Sequence, residues 1–257
     1  MDNVVELSLP SDGLILQAHL GRPPAPGGMA PPAVVFTHGF PSEPGGGANS
    51  YASFPALIER VSSTMGWVAM SFQFRGAGAS EGDFSLSGWL ADIAAAVAFV
   101  RHELRVSGVW LAGFGTGGSL AVCAGAADPD IRGVAAVAAP ADFADWARSP
   151  RQLLEHARQV GTISTPGFPP AMDEWAAELA EHRAESAAAR LAPRPLLVMH
   201  GSDDDLVPQI DARAVAEAHG AADLRIITGA GHRLRHDPRA VAVLLGWLER
   251  QRHRAVV

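Results

Sequence analysis

Cysteine is nearly absent from the chain, which carries one, Cys123, in 257 residues. A single cysteine excludes an internal disulfide, and no CxxC spacing of a zinc site is present. Cys123 lies in the apolar run SLAVCAGAA, which favours a buried structural thiol over a reactive one. The sequence also lacks a Walker loop, a dinucleotide fingerprint after its first strand and a cluster of metal-binding residues. We therefore predict neither a cofactor nor a metal ion.

Positive charge is also scarce: 20 basic residues stand against 27 acidic ones, a formal charge of −7. This balance argues against nucleic-acid binding, which requires a basic surface to displace counterions from phosphates. No stretch approaches the roughly 18 consecutive apolar residues of a membrane span. The first residues, MDNVVELSLPSDG, lack the charged and apolar regions of a signal peptide. We predict a cytoplasmic protein without a membrane span, while its oligomeric state stays open.

Length and composition fit one large α/β domain over residues 1–257. About half of the residues (48%) are hydrophobic and 18% are charged, as in proteins with a substantial core. The runs VVELSLP and LILQAHL, joined by SDG, predict an antiparallel hairpin. From AVVFTHGF onward, apolar runs alternate with helical patterns. The alternation predicts a mostly parallel sheet of eight strands with helices on both faces. The predicted helices cover residues near 50–63, 86–104, 116–127, 208–219 and 238–252.

Residues 141–192 interrupt this alternation. Two helical stretches, ADWARSPRQLLEHARQV and MDEWAAELAEHRAESAAARL, flank the proline-rich linker TISTPGFPP. We predict a small helical cap over the carboxyl ends of the strands, with a surface decoration as the alternative. Four apolar side chains of this segment either line a pocket or seal the cap against the sheet: Trp146, Phe168, Met172 and Trp175.

Chemistry is expected at the carboxyl ends of the parallel strands, where ligands bind in open α/β sheets. Five motifs follow the predicted strands: THGFP (37–41), FRGAGASEG (74–82), LAGFGTGG (111–118), HGSDDDLVP (200–208) and GAGH (229–232). Their order resembles the α/β-hydrolase superfamily, in particular its serine esterase, monoglyceride-lipase-like and peptidase-like branch. That family places HG, RGxGxS, GxSxG, HGxxDxxVP and a histidine after successive strands. The resemblance covers most of residues 30–250 and implies an α/β-hydrolase fold.

The resemblance also implies a catalytic triad whose nucleophile is missing. Asp204 matches the acid and His232 the base, with Asp142 as an alternative acid. The nucleophile position is Gly115, in GFGTG, where the family has serine. Because glycine accepts the strained turn without a side chain, we expect the turn to persist and the acyl-enzyme route to be closed.

The resemblance assigns the oxyanion hole to the backbone amides of Phe40 and Thr116. Two alternatives to a missing nucleophile stay open. The hydroxyl of Thr116 or of Ser119 replaces the serine, or the glycine is an introduced replacement. Six further residues are expected to be structural: His38, Arg75, Ser80, His200, Asp203 and Asp205.

Three functions remain open. In the first, His232 activates water or deprotonates a substrate without a covalent intermediate, and the substrate is a small ester, thioester or lactone. In the second, the chain is an inactive homologue that binds a small, apolar ligand. In the third, it is a scaffold with a vestigial pocket. We favour the first, because the acid, the base and the oxyanion elements all remain.

Overall fold

The computed structural model describes residues 3–24, 29–43 and 54–254. Within these ranges one eight-stranded sheet has the order β1-β2-β4-β3-β5-β6-β7-β8. The strands are β1 (Val4–Ser11), β2 (Leu14–Gly21), β3 (Ala33–Thr37), β4 (Val68–Phe72), β5 (Val109–Phe114), β6 (Ile131–Val137), β7 (Leu196–Gly201) and β8 (Asp223–Ile227). β2 pairs antiparallel with β1 and with β4, and the other pairs are parallel. The predicted hairpin and mostly parallel sheet are confirmed.

Helices cover both faces of this sheet, as predicted. They are α1 (Phe54–Met65), α2 (Leu86–Glu103), α3 (Thr116–Ala127), α4 (Ala144–Arg148), α5 (Pro150–Gln159), α6 (Met172–Glu181), α7 (Ala184–Leu191), α8 (Gln209–His219) and α9 (Pro238–Arg254). Buried residues of α1 and α9 form one core, and those of α2, α3, α7 and α8 belong to the other. Of the helix predicted near 50–63, residues 50–53 lie outside the described residues. No helix in the described ranges is long and apolar enough to cross a membrane.

The central strands are apolar throughout because both of their faces are covered. All five residues of β3 are buried. Val34 and Phe36 contribute to the core under α1 and α9, whereas Ala33 and Val35 contribute to the opposite core. This arrangement fixes the carboxyl ends of β3, β5, β7 and β8 along one edge of the sheet.

The segment between β6 and β7 departs from the prediction of two long helices. It contains four helices, because each predicted stretch is divided. Pro150 occupies the first turn of α5, a position that needs no amide hydrogen, so α4 ends before it. α7 packs against α3 and α8 in the helical layer of the sheet, where Leu191 approaches Gly125.

Side chains of α6 bind this segment to the first turn of α2 and to the loop before it. The Glu178 carboxylate accepts hydrogen bonds from the amides of Leu86 (2.8 Å) and Ser87 (3.1 Å), which are free in the first turn of α2. The Trp175 indole donates to the Phe84 carbonyl at 3.2 Å. α6 is therefore fixed against the sheet layer by polar contacts as well as by apolar packing.

Candidate active site

Gly115 forms the turn between β5 and α3. Its backbone has φ +56° and ψ −130°, a conformation that side-chain-bearing residues rarely adopt and glycine adopts without strain. Its amide donates to the Val137 carbonyl at 2.9 Å, which ties the turn to β6. The sharp strand-to-helix turn is therefore present, and its central residue has no side chain.

Two neighbouring glycines allow close backbone packing around this turn. A Cβ atom on Gly113 would lie 2.3 Å from the Gly117 carbonyl oxygen, and one on Gly117 would lie 2.3 Å from the His38 carbonyl oxygen. No side chain fits at such distances. The spacing GFGTG thus brings the loop after β3 directly against the turn.

His232 and Asp204 meet beside Gly115. His232 lies in the loop after β8, and its Nδ1 is 2.9 Å from Oδ2 and 3.2 Å from Oδ1 of Asp204. The Asp204 side chain is fully buried, and Oδ1 also accepts from the amides of Leu206 (3.0 Å) and Val207 (2.9 Å). The structure thus brings together the two residues that the sequence pairs.

The Asp204 carboxylate is held in its ionised form. Burial pushes the pKa of Asp204 upward, but the hydrogen bonds from His232 and the Val207 amide outweigh burial and set the pKa below its ordinary value. An ionised carboxylate only accepts hydrogen bonds, so His232 carries its proton on Nδ1. Its Nε2 is then the basic nitrogen.

The basic nitrogen faces the turn. A Cβ atom built on Gly115 would lie 3.7 Å from His232 Nε2, and its other near neighbour would be Gly39 Cα at 3.4 Å. A side chain would therefore fit sterically at this point, next to the imidazole. The imidazole of His232, the carboxylate of Asp204 and the turn at Gly115 therefore lie next to one another.

The two predicted oxyanion donors flank the turn. Thr116 is the first residue of α3, where an amide has no acceptor within the helix. Phe40 follows the loop glycine Gly39 and lines the same cleft as Gly115. The Phe40 ring packs edge-on against Phe84 (4.7 Å) and Trp146 (5.3 Å), which holds its backbone in place.

A cleft of about 140 Å³ opens over Gly115. The residues that line it are Gly39, Phe40, Pro41, Ser42, Phe114, Gly115, Val137, Ala138, Leu206, His232, Arg233, Leu234, Arg235 and His236. It adjoins a wider groove of about 770 Å³ that shares His232 and Leu206. None of these cleft-lining residues belongs to 141–192. Trp146, Phe168, Met172 and Trp175 pack in or against the core that contains α2 and α3. Phe168 and Trp175 also line a separate pocket beside Ser87.

Two of the alternative catalytic residues, Ser119 and Asp142, are engaged away from His232. The Ser119 side chain is fully buried, and its hydroxyl donates to the Pro140 carbonyl at 2.5 Å. Asp142 accepts from the Ala144 amide and pairs with Arg183 at 3.2 Å, so it is engaged away from His232. Asp204 is the acid that reaches the imidazole.

Two of the residues expected to be structural brace the loops around the cleft. His38 is fully buried, with Nδ1 2.7 Å from the Gly39 carbonyl, while Nε2 accepts from the Phe74 amide at 3.0 Å. Burial lowers the pKa of His38 to about 4, so the ring is neutral. Arg75 pairs with the buried Asp92 at 2.7 Å. Asp92 carries no local signal in the sequence that marks it as the partner of Arg75.

Arg235 is a second residue near the cleft that no sequence motif indicates. It lies in the 3₁₀ turn Leu234–His236, and its guanidinium carbon is 4.3 Å from the centroid of the Phe54 ring. Phe54 begins α1, far away in sequence. Only the folded sheet brings this cation to the wall of the cleft, so no spacing signal could have indicated it.

The elbow after β5, the buried Asp204 paired with His232, and the sheet order together define an α/β hydrolase. Residues 34–244 match the model of the Alpha/beta hydrolase family, and the chain belongs to that family. A match to an uncharacterised protein of Escherichia coli O157:H7, YfhR, is 30% identical over 138 residues. The match covers 53% of this chain and 43% of that relative, so the chain spans less than half of the relative's length.

Solved structures share the fold over nearly the whole chain. Est1E from Butyrivibrio proteoclasticus is 21% identical, with a TM-score of 0.72 and 98% of each chain covered. The α/β hydrolase GrgF from Penicillium sp. sh18 is 19% identical, with a TM-score of 0.71 and coverage of 97% and 98%. XC6422 from Xanthomonas campestris, described as an α/β serine hydrolase without lid, is 20% identical, with a TM-score of 0.64 and coverage of 99% and 95%.

Proposed function

We propose that this chain is an esterase-like hydrolase that works without a covalent intermediate. His232 Nε2 takes a proton from a water molecule above Gly115, and the water oxygen attacks the carbonyl carbon of a small ester, thioester or lactone. The observation that carries the proposal is the distance of 3.7 Å between His232 Nε2 and the Cβ position of Gly115, with Nδ1 held by Asp204. That space is large enough for a nucleophile and adjoins a base.

The remaining steps use groups on the same cleft. The amides of Phe40 and Thr116 stabilise the oxyanion that forms when the water adds. As this intermediate collapses, the carbon–oxygen or carbon–sulfur bond to the leaving group breaks, and His232 returns its proton to that group. Asp204, whose pKa lies below its ordinary value, stays ionised and stabilises the protonated imidazole between the two transfers.

A small substrate fits the size of the cleft. About 140 Å³ holds an acyl group of a few carbon atoms, and the adjoining groove is open enough for a leaving group. Est1E, which shares the fold, has been solved with the small molecule ferulic acid bound. We propose that the cap predicted over residues 141–192 braces the Phe40 loop through Trp146 rather than covering the cleft.

Steady-state hydrolysis of p-nitrophenyl acetate and butyrate tests the proposal. The native chain is expected to exceed the uncatalysed rate, and His232→Ala is expected to lose about 100-fold or more of that excess, because a positioned general base contributes about 10²–10⁴. Ser42→Ala is the matched control: among the described residues that line the cleft, Ser42 is the one hydroxyl. It should keep the native rate. A native chain that binds these esters but never turns them over indicates a ligand-binding protein instead.

A further inference from the structure

A second histidine, His200, lies against the Asp204 carboxylate. His200 belongs to β7, and its side chain is fully buried, like that of Asp204. Its Nε2 is 2.9 Å from the Val207 carbonyl oxygen and 3.3 Å from Oδ2 of Asp204. Two imidazoles therefore contact this carboxylate, His232 from the loop after β8 and His200 from β7.

The neighbours of His200 Nε2 determine where the ring carries its proton. A carbonyl and an ionised carboxylate only accept hydrogen bonds, so Nε2 carries hydrogen and donates it to the Val207 carbonyl. Nδ1 is buried and has no hydrogen-bond partner among the residues that the structure describes. Within that part of the chain, the orientation of the ring is therefore set by the contacts of Nε2.

An imidazole at this position destabilises the folded chain relative to an aliphatic side chain. The residues before it in β7 are apolar and buried, and a buried nitrogen without a partner loses its hydration without compensation. The polar contact that the imidazole provides in return is with the loop that carries Asp204. This placement indicates a role in the site rather than in packing.

Val207 connects His200 to the site. Its carbonyl accepts from His200, and its amide donates to Oδ1 of Asp204 at 2.9 Å. Oδ2 of Asp204 in turn lies 2.9 Å from Nδ1 of His232. β7 is paired on both sides, with β6 and with β8. A chain of hydrogen bonds therefore runs from a fixed strand to the basic imidazole.

We propose that His200 is a positioning residue: through Val207 it holds the Asp204 carboxylate in the orientation that keeps Nε2 of His232 facing Gly115. Groups that act on a substrate need such support, because their own orientation must be fixed closely. The inference deepens the proposed function and rests on it for the part that concerns turnover. The orientation of the imidazole does not depend on turnover.

Proton NMR of the Nδ1–H of His232 tests the positioning step without a substrate. A proton shared between an imidazole and a buried carboxylate gives a low-field signal, and its loss in His232→Gln assigns it. His200→Gln places an amide N–H where Nε2 lies and should keep the signal. His200→Asn places its amide where Nδ1 lies, away from Val207, and should broaden or lose the signal through exchange with water.

Hydrolysis of p-nitrophenyl butyrate by the same variants tests the consequence for turnover. His200→Asn is expected to lower kcat by about 10- to 100-fold with little change in KM, because a displaced base weakens the transition state more than substrate binding. His200→Gln should keep most of the native kcat. This rescue distinguishes the lost N–H donor from a general loss of packing.

His219→Asn is the matched control for lost stability. His219 is also buried, and its Nε2 is 2.9 Å from a backbone carbonyl oxygen, that of Arg194. Arg194 precedes β7, at the opposite end of this strand from the Asp204 loop. The control should lower the urea midpoint, as His200→Asn does, and leave the low-field signal and kcat unchanged.

Three outcomes overturn the inference: no low-field signal in the native chain, an unchanged signal in His200→Asn, or equal losses in His200→Asn and His200→Gln. Should His200→Asn not fold, His200→Leu removes the donor with an apolar side chain, and the same losses are expected. A signal that depends on His200 in a chain that hydrolyses no ester removes the proposed function and leaves the inference. Ester hydrolysis that His200→Asn leaves unchanged removes the inference and leaves the proposed function.

Discussion

Among single residues, Gly115 matters most to the site, because it has no side chain. Its backbone keeps the positive φ of the turn, and the position of its missing Cβ atom faces His232. A serine in this position would place a hydroxyl within hydrogen-bond distance of Nε2, since the Cβ position is 3.7 Å from that nitrogen. The side chain at position 115 therefore decides whether the site holds a covalent nucleophile.

Gly115→Ser should convert the site to a covalent one. We expect a fluorophosphonate to label this variant and not the native chain, as measured by intact-protein mass. The positive φ should also make the variant less stable by about 1–3 kcal/mol in urea denaturation. Gly115→Ala, which has the same strain and no hydroxyl, should lose the same stability without any labelling. Labelling of the alanine variant would place the reactive group elsewhere.

His38 should make the stability of the protein depend on pH. Its pKa in the folded chain is lowered from 6.5 to about 4, so between these values the unfolded chain binds the proton more readily. Stability contributed by the neutral ring is complete above about pH 6.5 and is lost as the pH falls toward 4, by up to roughly 3 kcal/mol. Urea denaturation at pH 7 and pH 4.5 measures the loss. In His38→Gln the difference between the two pH values should be smaller, and an unchanged difference would contradict the assignment.

At the scale of elements, the turn between β5 and α3 is specified by close backbone contact rather than by side chains. Gly117 is a helical residue whose Cβ position overlaps the His38 carbonyl. His38 belongs to the loop that carries Phe40. Packing of α3 against this loop therefore positions the backbone amides of Phe40 and Thr116 together.

Alanine scanning of two helical glycines should give opposite signs. Gly117→Ala forces the loop after β3 away from α3 and is expected to lower the free energy of unfolding by about 1–3 kcal/mol, with loss of ester hydrolysis. Gly246→Ala, in α9, has its Cβ position no closer than 3.8 Å to Arg250. It should raise that free energy by about 0.5–1 kcal/mol, because alanine is the better helix former. Equal changes in the free energy of unfolding of the two variants would mean that the loop after β3 moves to accommodate the methyl group at Gly117.

The ends of the helices are only partly predictable from the sequence. The run Thr116–Ala127 was predicted as a helix and is one: Gly115 precedes its start and Asp128 follows its end. The division between α6 and α7 at His182 and Arg183 has no proline or glycine to indicate it. There, the pairing of Arg183 with Asp142 is a tertiary contact that no local pattern reveals.

At the scale of the whole molecule, the order of the strand-end motifs was sufficient to predict the fold and to pair Asp204 with His232. Contacts between elements that are distant in the sequence could not be predicted. Arg235 reaches the cleft because α1 supplies Phe54 beneath it, and Asp92 becomes the partner of Arg75 through the packing of α2. Motifs on adjacent loops are visible in a sequence, whereas contacts across layers depend on the assembled sheet.

The proposed function requires that His232 and Asp204 hydrolyse an ester without a covalent intermediate. The most direct measurement is p-nitrophenyl butyrate turnover by the native chain before and after incubation with a fluorophosphonate, with intact mass recorded. Turnover by the native chain should continue at the same rate and its mass should stay unchanged, whereas Gly115→Ser should become labelled and lose its turnover. A native chain that is inert, or one whose turnover ends as an adduct forms at Ser42 or another residue, would contradict it.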